Sequence, residues 1–528
     1  MSPSPSTPEP GVGPSVQRRV AGAALLLTAS TLLSRILGWV RDAVVAAQHG
    51  ADLQTDVYFA SFTLPDLMSY MLAGGALSIT FVPMATRAFQ EGGQAAVDRV
   101  FSVVATTMAV VLTVAIAAAW VLAPMILPSL LPGFTPDALA ETVTLTRIVL
   151  PAQLFFYVGG LLGATVMART RFLEVALAPL VYNVAIILGG VLLGPWLGLA
   201  GFSWGALVGA ALGPFALVAV AARRSGLGFT PRLALADPDF RRFVKVSLPV
   251  MAGFSLVTVD EWITRYFASA LPAGSISWVQ NARRLMLVPV SVLGQAAGQA
   301  TLPFLARLRA EGKTEEAGRV LHDAMALVAF LTLVASAGLV ALAGPGVSAF
   351  YERGAFTAAD SAATAAALVP MGLGVVFWAL QALGARGFYA TGDTLTPMTL
   401  ATIATVISLP IYGWLAGAAG HVGLAWGTSI GMALTAGLTL FRLAGKFPYQ
   451  AGRLAVGIAR SAVIASAAGL AAWAVAGAMP PSVPARVWLQ LAAGGAVLAA
   501  VTLLVGRVLG SPEIAMVSRR LRRKSSIK

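Results

Sequence analysis

The chain has 528 residues, 58% hydrophobic and only 11% charged, with a mean hydropathy of +0.81, whereas a soluble domain carries about 25% charge. Apolar stretches of about 20 residues recur to the end, which excludes a soluble globule, and with no barrel-like alternation the spans must be helices. Zero cysteines exclude disulfides and thiolate metal sites, three scattered histidines (His49, His322, His421) offer no metal cluster, and no P-loop is present to hydrolyse ATP.

Residues 1–19 open on a Pro/Ser-rich stretch whose only acidic residue is Glu9; they read as a disordered tail without a cleavable signal peptide. Fourteen spans follow, at about 20–47, 57–86, 100–127, 141–168, 174–194, 201–222, 244–270, 277–306, 320–343, 361–389, 396–417, 422–442, 456–478 and 486–508. The first contains Ser34, Arg35, Arg41 and Asp42. At about 1.5 Å per residue, Arg35 sits roughly 20 Å into a layer about 30 Å thick. A central arginine costs about 2.5 kcal/mol or more, so it must face a wet cavity or a partner. The seven-residue spacing puts Arg35 and Asp42 on one face and Ser34 and Arg41 on an adjacent one. Such a helix lines something polar. Asp56, at the start of the second span, is either a cap for that helix or a gate residue.

Alternate connections carry 28 of the 36 basic residues, with six in the longest (Arg223, Arg224, Arg232, Arg241, Arg242, Lys245) and a cluster in the tail SRRLRRKSSIK. The opposite side has Arg353 and Arg486. By the positive-inside rule both termini are cytoplasmic. The net charge of +14 is therefore a topology signal and an attraction to anionic lipid, with no need for nucleic acid.

The six remaining arginines lie inside spans. Arg147 and Arg265 are near ends, where snorkelling is common, and Arg265 has Glu261 four residues back. Arg35, Arg41 and the pair Arg283–Arg284 belong to the first and eighth spans; together they would make a cationic chamber suited to a multiply charged anion. Arg283 has an alternative, pairing with Asp260 or Glu261 of the seventh span. Pro65 and Gly74–Gly75 in the second span, and Pro289 and Gly294 in the eighth, are either close-packing positions or bending points.

A repeat relates GLAGFSWGALVG (198–209) to GHVGLAWGTSIG (420–431) at an offset of 222. Six spans per repeat, an even number, implies two lobes related by an axis along the membrane normal with a site between them. The expected organisation is an N-lobe over 20–223, a cytoplasmic linker over 224–243, a C-lobe over 244–443, two extra helices over 444–509 and a basic tail over 510–528. The outer connections hold few carboxylates and no pair placed as general acid and base, which argues against an enzyme.

Several blocks in order carry a resemblance: SRILGWVRD (34–42), TDVYFASFTLPDL (55–67), GGALSITFVP (74–83), FASALPAGSIS (267–277), ARRLMLVPVSVLG (282–294), YERGAFTAADSAAT (351–364) and GFYATGDTLTP (387–397). From about residue 24 to 510 the chain resembles the MurJ (MviN) family of lipid II flippases, in the multidrug/oligosaccharidyl-lipid/polysaccharide exporter superfamily. The resemblance implies fourteen helices, two six-helix lobes, a central cationic cavity and, in the last two helices, a groove for the lipid tail. It places the family's essential residues on Ser34, Arg35, Arg41, Asp42, Asp56 and Arg284. Many members have Arg-Arg and Glu where this chain has Ser69, Tyr70 and Gly74, and an Asp or Asn where Arg283 stands. Part of the cavity charge is thus lost, or relocated to Arg283.

The expectation is a multi-pass protein of the bacterial cytoplasmic membrane, monomeric and without cofactor. It moves the lipid-linked peptidoglycan precursor between leaflets by alternating access, driven by membrane potential or a coupled ion. Arg35, Arg41 and Arg284 would hold the pyrophosphate, Asp42 would orient an arginine, and Asp56 would help close the outer gate. The rivals are a flippase for another polyprenyl-linked glycan, a cation-coupled drug antiporter, which should line its chamber with acids, and a glycosyltransferase, which needs outer-loop carboxylates.

Overall fold

Every described element is helical, as lipid demands of a backbone that must satisfy its own hydrogen bonds. The structure is a computed structural model and describes residues 14–73, 81–169, 171–257, 259–480 and 485–516. Gly74–Gly75, most of the 74–83 block and the tail from Arg519 lie outside the described residues, as does the Tyr70 side chain.

The helices run α1 (Pro14–His49), α2 (Leu53–Ser61), α3 (Thr63–Ala73), α4 (Val82–Leu130), α5 (Pro136–Val149), α6 (Ala152–Ala168) and α7 (Leu173–Leu197). Then α8 (Ala200–Ala210) passes through a π-helical turn into α9 (Val218–Arg224), followed by α10 (Pro238–Val257) and α11 (Val259–Ala268). Next, α12 (Ser275–Pro289) passes through a second π turn into α13 (Ala296–Ala310). The rest are α14 (Thr314–Ala341), α15 (Ala343–Tyr351), α16 (Ala358–Tyr389), α17 (Leu395–Ala444), α18 (Ala451–Gly477) and α19 (Arg486–Val508). Ten helical stretches among the described residues are long and apolar enough to cross a membrane. One of these, Leu395–Ala444, breaks at Ala419–Gly420 into two arms. The first and seventh spans expected from the sequence overlap α1 and α10–α11, and α2–α3 fall in the second, which runs on through residues outside the described ones.

Breaks follow sequence. Pro65 has no N–H to offer the Ser61 carbonyl one turn back, and α2 ends at Ser61. Pro289 ends α12 and the backbone widens into the π turn Val290–Gln295, while a Cβ on Gly294 would lie 2.8 Å from Ala379 Cα. The eighth span thus contains both a bend and a close-packed position.

The chain forms two compact units. One comprises residues 1–44, 64–123 and 143–254. Its core gathers Phe81, Phe101, Val104, Leu112, Tyr157, Leu161, Phe240 and Phe243, all buried. Here α7 and α8 form a hairpin in which Gly201, Gly205 and Gly209 press on the backbone of Leu193, Ile186 and Tyr182. The connection after α9 is strapped along α4: the amides of Thr230, Arg232 and Ala234 donate to the hydroxyls of Ser102, Thr106 and Thr107 at 3.1, 3.2 and 3.1 Å.

The other unit comprises residues 45–63, 124–142 and 255–528. Its core includes Leu321, Met325, Val328, Leu380, Leu383, Phe388, Leu443 and Phe447. The two arms of α17 form a hairpin in which Gly423, Gly427 and Gly431 press on Leu415, Tyr412 and Ser408. Gly198, between α7 and α8, has φ 55 and ψ −135; Gly420, inside α17, has φ 56 and ψ −135. The sequence repeat is therefore also a repeat of backbone conformation, with each hairpin turned by a glycine in a region that strains a side chain.

Candidate functional site

The charged residues singled out from the sequence divide between the two units. In the first, α1 carries Ser34, Arg35, Arg41 and Asp42. Asp42 is buried and its Oδ1 accepts from Arg41 Nε at 2.9 Å and Nη2 at 2.8 Å. Asn183 of α7 joins the stripe: its Oδ1 accepts from Arg41 Nη1 at 3.5 Å, and its Nδ2 donates to Ser34 Oγ at 3.2 Å and to the Pro179 carbonyl at 3.0 Å. One amide thus touches both Ser34 and Arg41, which the seven-residue spacing places one above the other. Arg41 keeps 16% of its side chain accessible. Arg35 is exposed and makes no hydrogen bond or ion pair among the described residues. The stripe therefore presents two guanidinium groups, one braced by a carboxylate and an amide and one unbraced. Sequence reasoning passed over Asn183, although a lone amide in the apolar run VYNVAI of the fifth span was the available signal.

In the second unit, Asp52 rather than Asp56 caps α2, accepting from the Thr55 amide at 2.9 Å. Asp56 is buried and reaches α12: it accepts from the amides of Gly274 at 2.8 Å and Ser277 at 2.7 Å, and from Ser277 Oγ at 2.6 Å. The residue at the head of α12 is Gly274, with φ 94 and no side chain to cap with; a Cβ there would lie 2.5 Å from the Ala51 carbonyl. Asp56 therefore supplies from another helix the N-terminal cap that the glycine cannot, with its charge at the positive end of the α12 dipole. Nearby, Trp278 Nε1 donates to Asp360 at 3.1 Å, and the Ala355 amide to the Ala47 carbonyl at 2.8 Å.

Arg283 and Arg284 diverge, as consecutive helical residues must. Arg283 is buried and donates to Asp260 at 2.9 Å, Thr264 at 3.2 Å and Thr428 at 3.5 Å; Tyr412 donates to the other oxygen of Asp260. This joins α12 to α11 and α17 through the pairing with Asp260 that the sequence had offered as its alternative. Arg284 is half-buried, and the Glu261 carboxylate lies in the field of both arginines. Arg265 pairs with Glu261 at 3.0 Å, the four-residue pair foreseen, and also donates to Thr63 at 3.2 Å. Arg147 stacks on Trp120 with its guanidinium carbon 4.2 Å from the ring centroid.

Residues 45–486 match the family model described as lipid II flippase MurJ. The chain belongs to the lipid II flippase MurJ family. A lipid II flippase MurJ of Burkholderia cenocepacia is 29% identical over 439 residues, covering 81% of this chain and 84% of that one. A probable lipid II flippase MurJ of Vibrio cholerae is 27% identical over 433 residues, covering 79% and 81%. The fold matches a solved lipid II flippase MurJ in an inward closed conformation with TM-score 0.78 at 22% identity, over 92% of this chain and 99% of that one. An inward-facing multidrug resistance MATE transporter of the MOP superfamily shares the fold at TM-score 0.64 and 14% identity, over 82% and 98%. The protein is thus an all-helical, multi-span membrane protein of a transporter family.

The blocks that carry the family resemblance also have structural occupations. SRILGWVRD holds the Asn183-braced stripe. PAGSIS holds the α12 head on Asp56. GFYATGDTLTP turns α16 into α17, where Asp393 accepts from the Thr396 amide at 2.9 Å and from Lys446 Nζ at 2.5 Å.

Proposed function

We propose that the chain is a flippase that carries lipid II from the cytoplasmic to the outer leaflet of the bacterial cytoplasmic membrane, by alternating access through a central cationic cavity. Both termini are cytoplasmic and the working form is a monomer. The observation that carries the reading is the α1 stripe: Arg41 is braced on one side by Asp42 and on the other by Asn183, yet part of its side chain stays accessible. A guanidinium held in this way offers a planar fork to a pyrophosphate, and the exposed Arg35 offers a second. Arg284 contributes a third cation, Ser34 a hydroxyl, and Asp42 holds Arg41 in place. Asp56 closes the outer side by holding the head of α12. Arg283, committed to Asp260, fixes the rotation of α12 and with it the direction of Arg284. A lining of arginines suits an anionic headgroup and disfavours cationic drugs, whatever fold is shared with drug antiporters.

The test is translocation of labelled, nonhydrolysable lipid II in proteoliposomes, read from the leaflet in which the label is accessible. The parent protein moves the label, and Arg41→Ala abolishes movement without lowering protein level. Arg41→Lys restores little, since an ammonium lacks the bidentate fork. Undiminished transport by the alanine variant would remove Arg41 from the site, and no movement of lipid II by the parent would overturn the substrate.

A further inference from the structure

A second cavity, of about 430 Å³, lies in the second unit between α14, α18 and the short helix that follows Ser511. None of its lining residues belongs to the α1 stripe or to the α12 head. Arg460 of α18 crosses one wall and binds both oxygens of Glu513 at 3.2 and 3.1 Å, so these two charges cancel. Two buried nitrogens of the lining, His322 Nδ1 and Arg460 Nε, have no hydrogen-bond partner among the described residues. Arg460 Nε–H is a donor, and a buried donor left unsatisfied costs about 1–3 kcal/mol, so it marks a place for an acceptor; His322 Nδ1 serves the same acceptor in the tautomer that carries its proton there. At the rim, α14 presents Asp323 and α18 presents Arg453; both are exposed, and neither makes a hydrogen bond or ion pair among the described residues. Arg453 stands in the first turn of α18, whose leading residue Gln450 makes no side-chain cap, so that turn also favours an anion. Leu327 and Val456 supply an apolar wall, and Val456 is 68% exposed on the helix surface.

We propose that this cavity binds one phospholipid whose headgroup joins a phosphodiester to a primary ammonium, the phosphatidylethanolamine type. The phosphate takes Arg453, the Arg460 Nε–H and His322, the ammonium takes Asp323, and an acyl chain lies along Leu327 and Val456. Charge selects the class. With Arg460 and Glu513 cancelled, the rim has one cation and one anion among the described residues, which a zwitterion matches. A purely anionic headgroup leaves Asp323 facing negative charge, and a quaternary ammonium has no N–H to give it.

The purified full chain, delipidated in detergent, would be titrated with dioleoyl phosphatidylethanolamine, phosphatidylcholine or phosphatidylglycerol. The first bound lipid is followed by native mass spectrometry and by melting temperature. Phosphatidylethanolamine should bind about tenfold more tightly than either of the others, the scale of one charge-assisted hydrogen bond. Arg453→Gln should weaken all three lipids about tenfold, and Asp323→Asn should erase the preference over phosphatidylcholine and turn it to phosphatidylglycerol. Both positions are exposed, so the variants keep the fold, and their lipid-free melting temperatures verify it. Equal binding of the three lipids, or a preference that survives both substitutions, would overturn the proposal. Equal protection by phosphoethanolamine without acyl chains would overturn its assignment to a lipid. Lipid II transport enters none of these readouts, so the result is independent of the substrate reading.

Discussion

At the scale of single residues, neighbours in sequence stand in different surroundings. Arg283 has its donors committed to Asp260, Thr264 and Thr428, while Arg284 stands about 100° around the helix. Removing one partner of a buried ion pair strands the other charge at a cost of about 3–5 kcal/mol. Arg283→Ala should therefore lower the melting temperature sharply, and an arginine placed at Ser69 should restore neither stability nor transport. Arg284→Ala should cost less stability and still remove transport. Measuring melting and flipping on both variants separates the roles. Rescue of Arg283→Ala transport by the Ser69 arginine would mean that Arg283 instead supplies charge missing from the second span.

At the scale of elements, carboxylates hold helix ends, from the adjoining chain or from another helix. The head of α12 depends on Asp56, so Asp56→Ala should destabilise it by at least the about 1–2 kcal/mol of a lost cap. Hydrogen exchange should show the Gly274 and Ser277 amides losing protection first. Unchanged protection would show that α12 holds its own end. At the α16–α17 turn, burial raises the Asp393 carboxyl, but hydrogen bonds from Lys446 and Thr396 outweigh it and hold its pKa at about 2. An unfolded aspartate titrates near about 3.9, so this clamp contributes its full stability above that pH and loses it as the pH falls toward about 2. Asp393→Asn should lower the melting temperature at neutral pH, with the gap to the parent closing below about pH 4. A gap that stays constant to acid pH would show that the carboxylate charge is not what holds Lys446.

At the scale of the whole molecule, the repeat at offset 222 reaches down to matching dihedral angles at Gly198 and Gly420. Nothing lies within 4 Å of a Cβ built on either, so backbone strain is the whole effect of adding one. Gly198→Ala and Gly420→Ala should each cost about 1–3 kcal/mol and by similar amounts. Urea unfolding of the two variants checks this, and a large difference would mean that the hairpins are only superficially alike.

Hydropathy and charge patterning alone determined that the chain is a bundle of membrane helices, because the low polarity of lipid leaves the backbone no other solution. Spacing alone showed that Ser34 and Arg41 share a face, since 3.6 residues per turn is a local property. Composition around Pro65 and Pro289 marked where helices give way, because a missing N–H acts within one turn. What no local rule contains is which distant residue meets a given charge. Asn183 lies far along the chain from Arg41, Gly274 and Ser277 far from Asp56, and Thr428 far from Arg283; only the packing of α7, α12 and α17 brings them within bonding distance. Asp56 was legible as a capping residue, but the helix it caps was decided by tertiary structure. The physical reason is that a carboxylate's preference for free amides is chemical and sits in the sequence, while the supply of free amides near it is geometric.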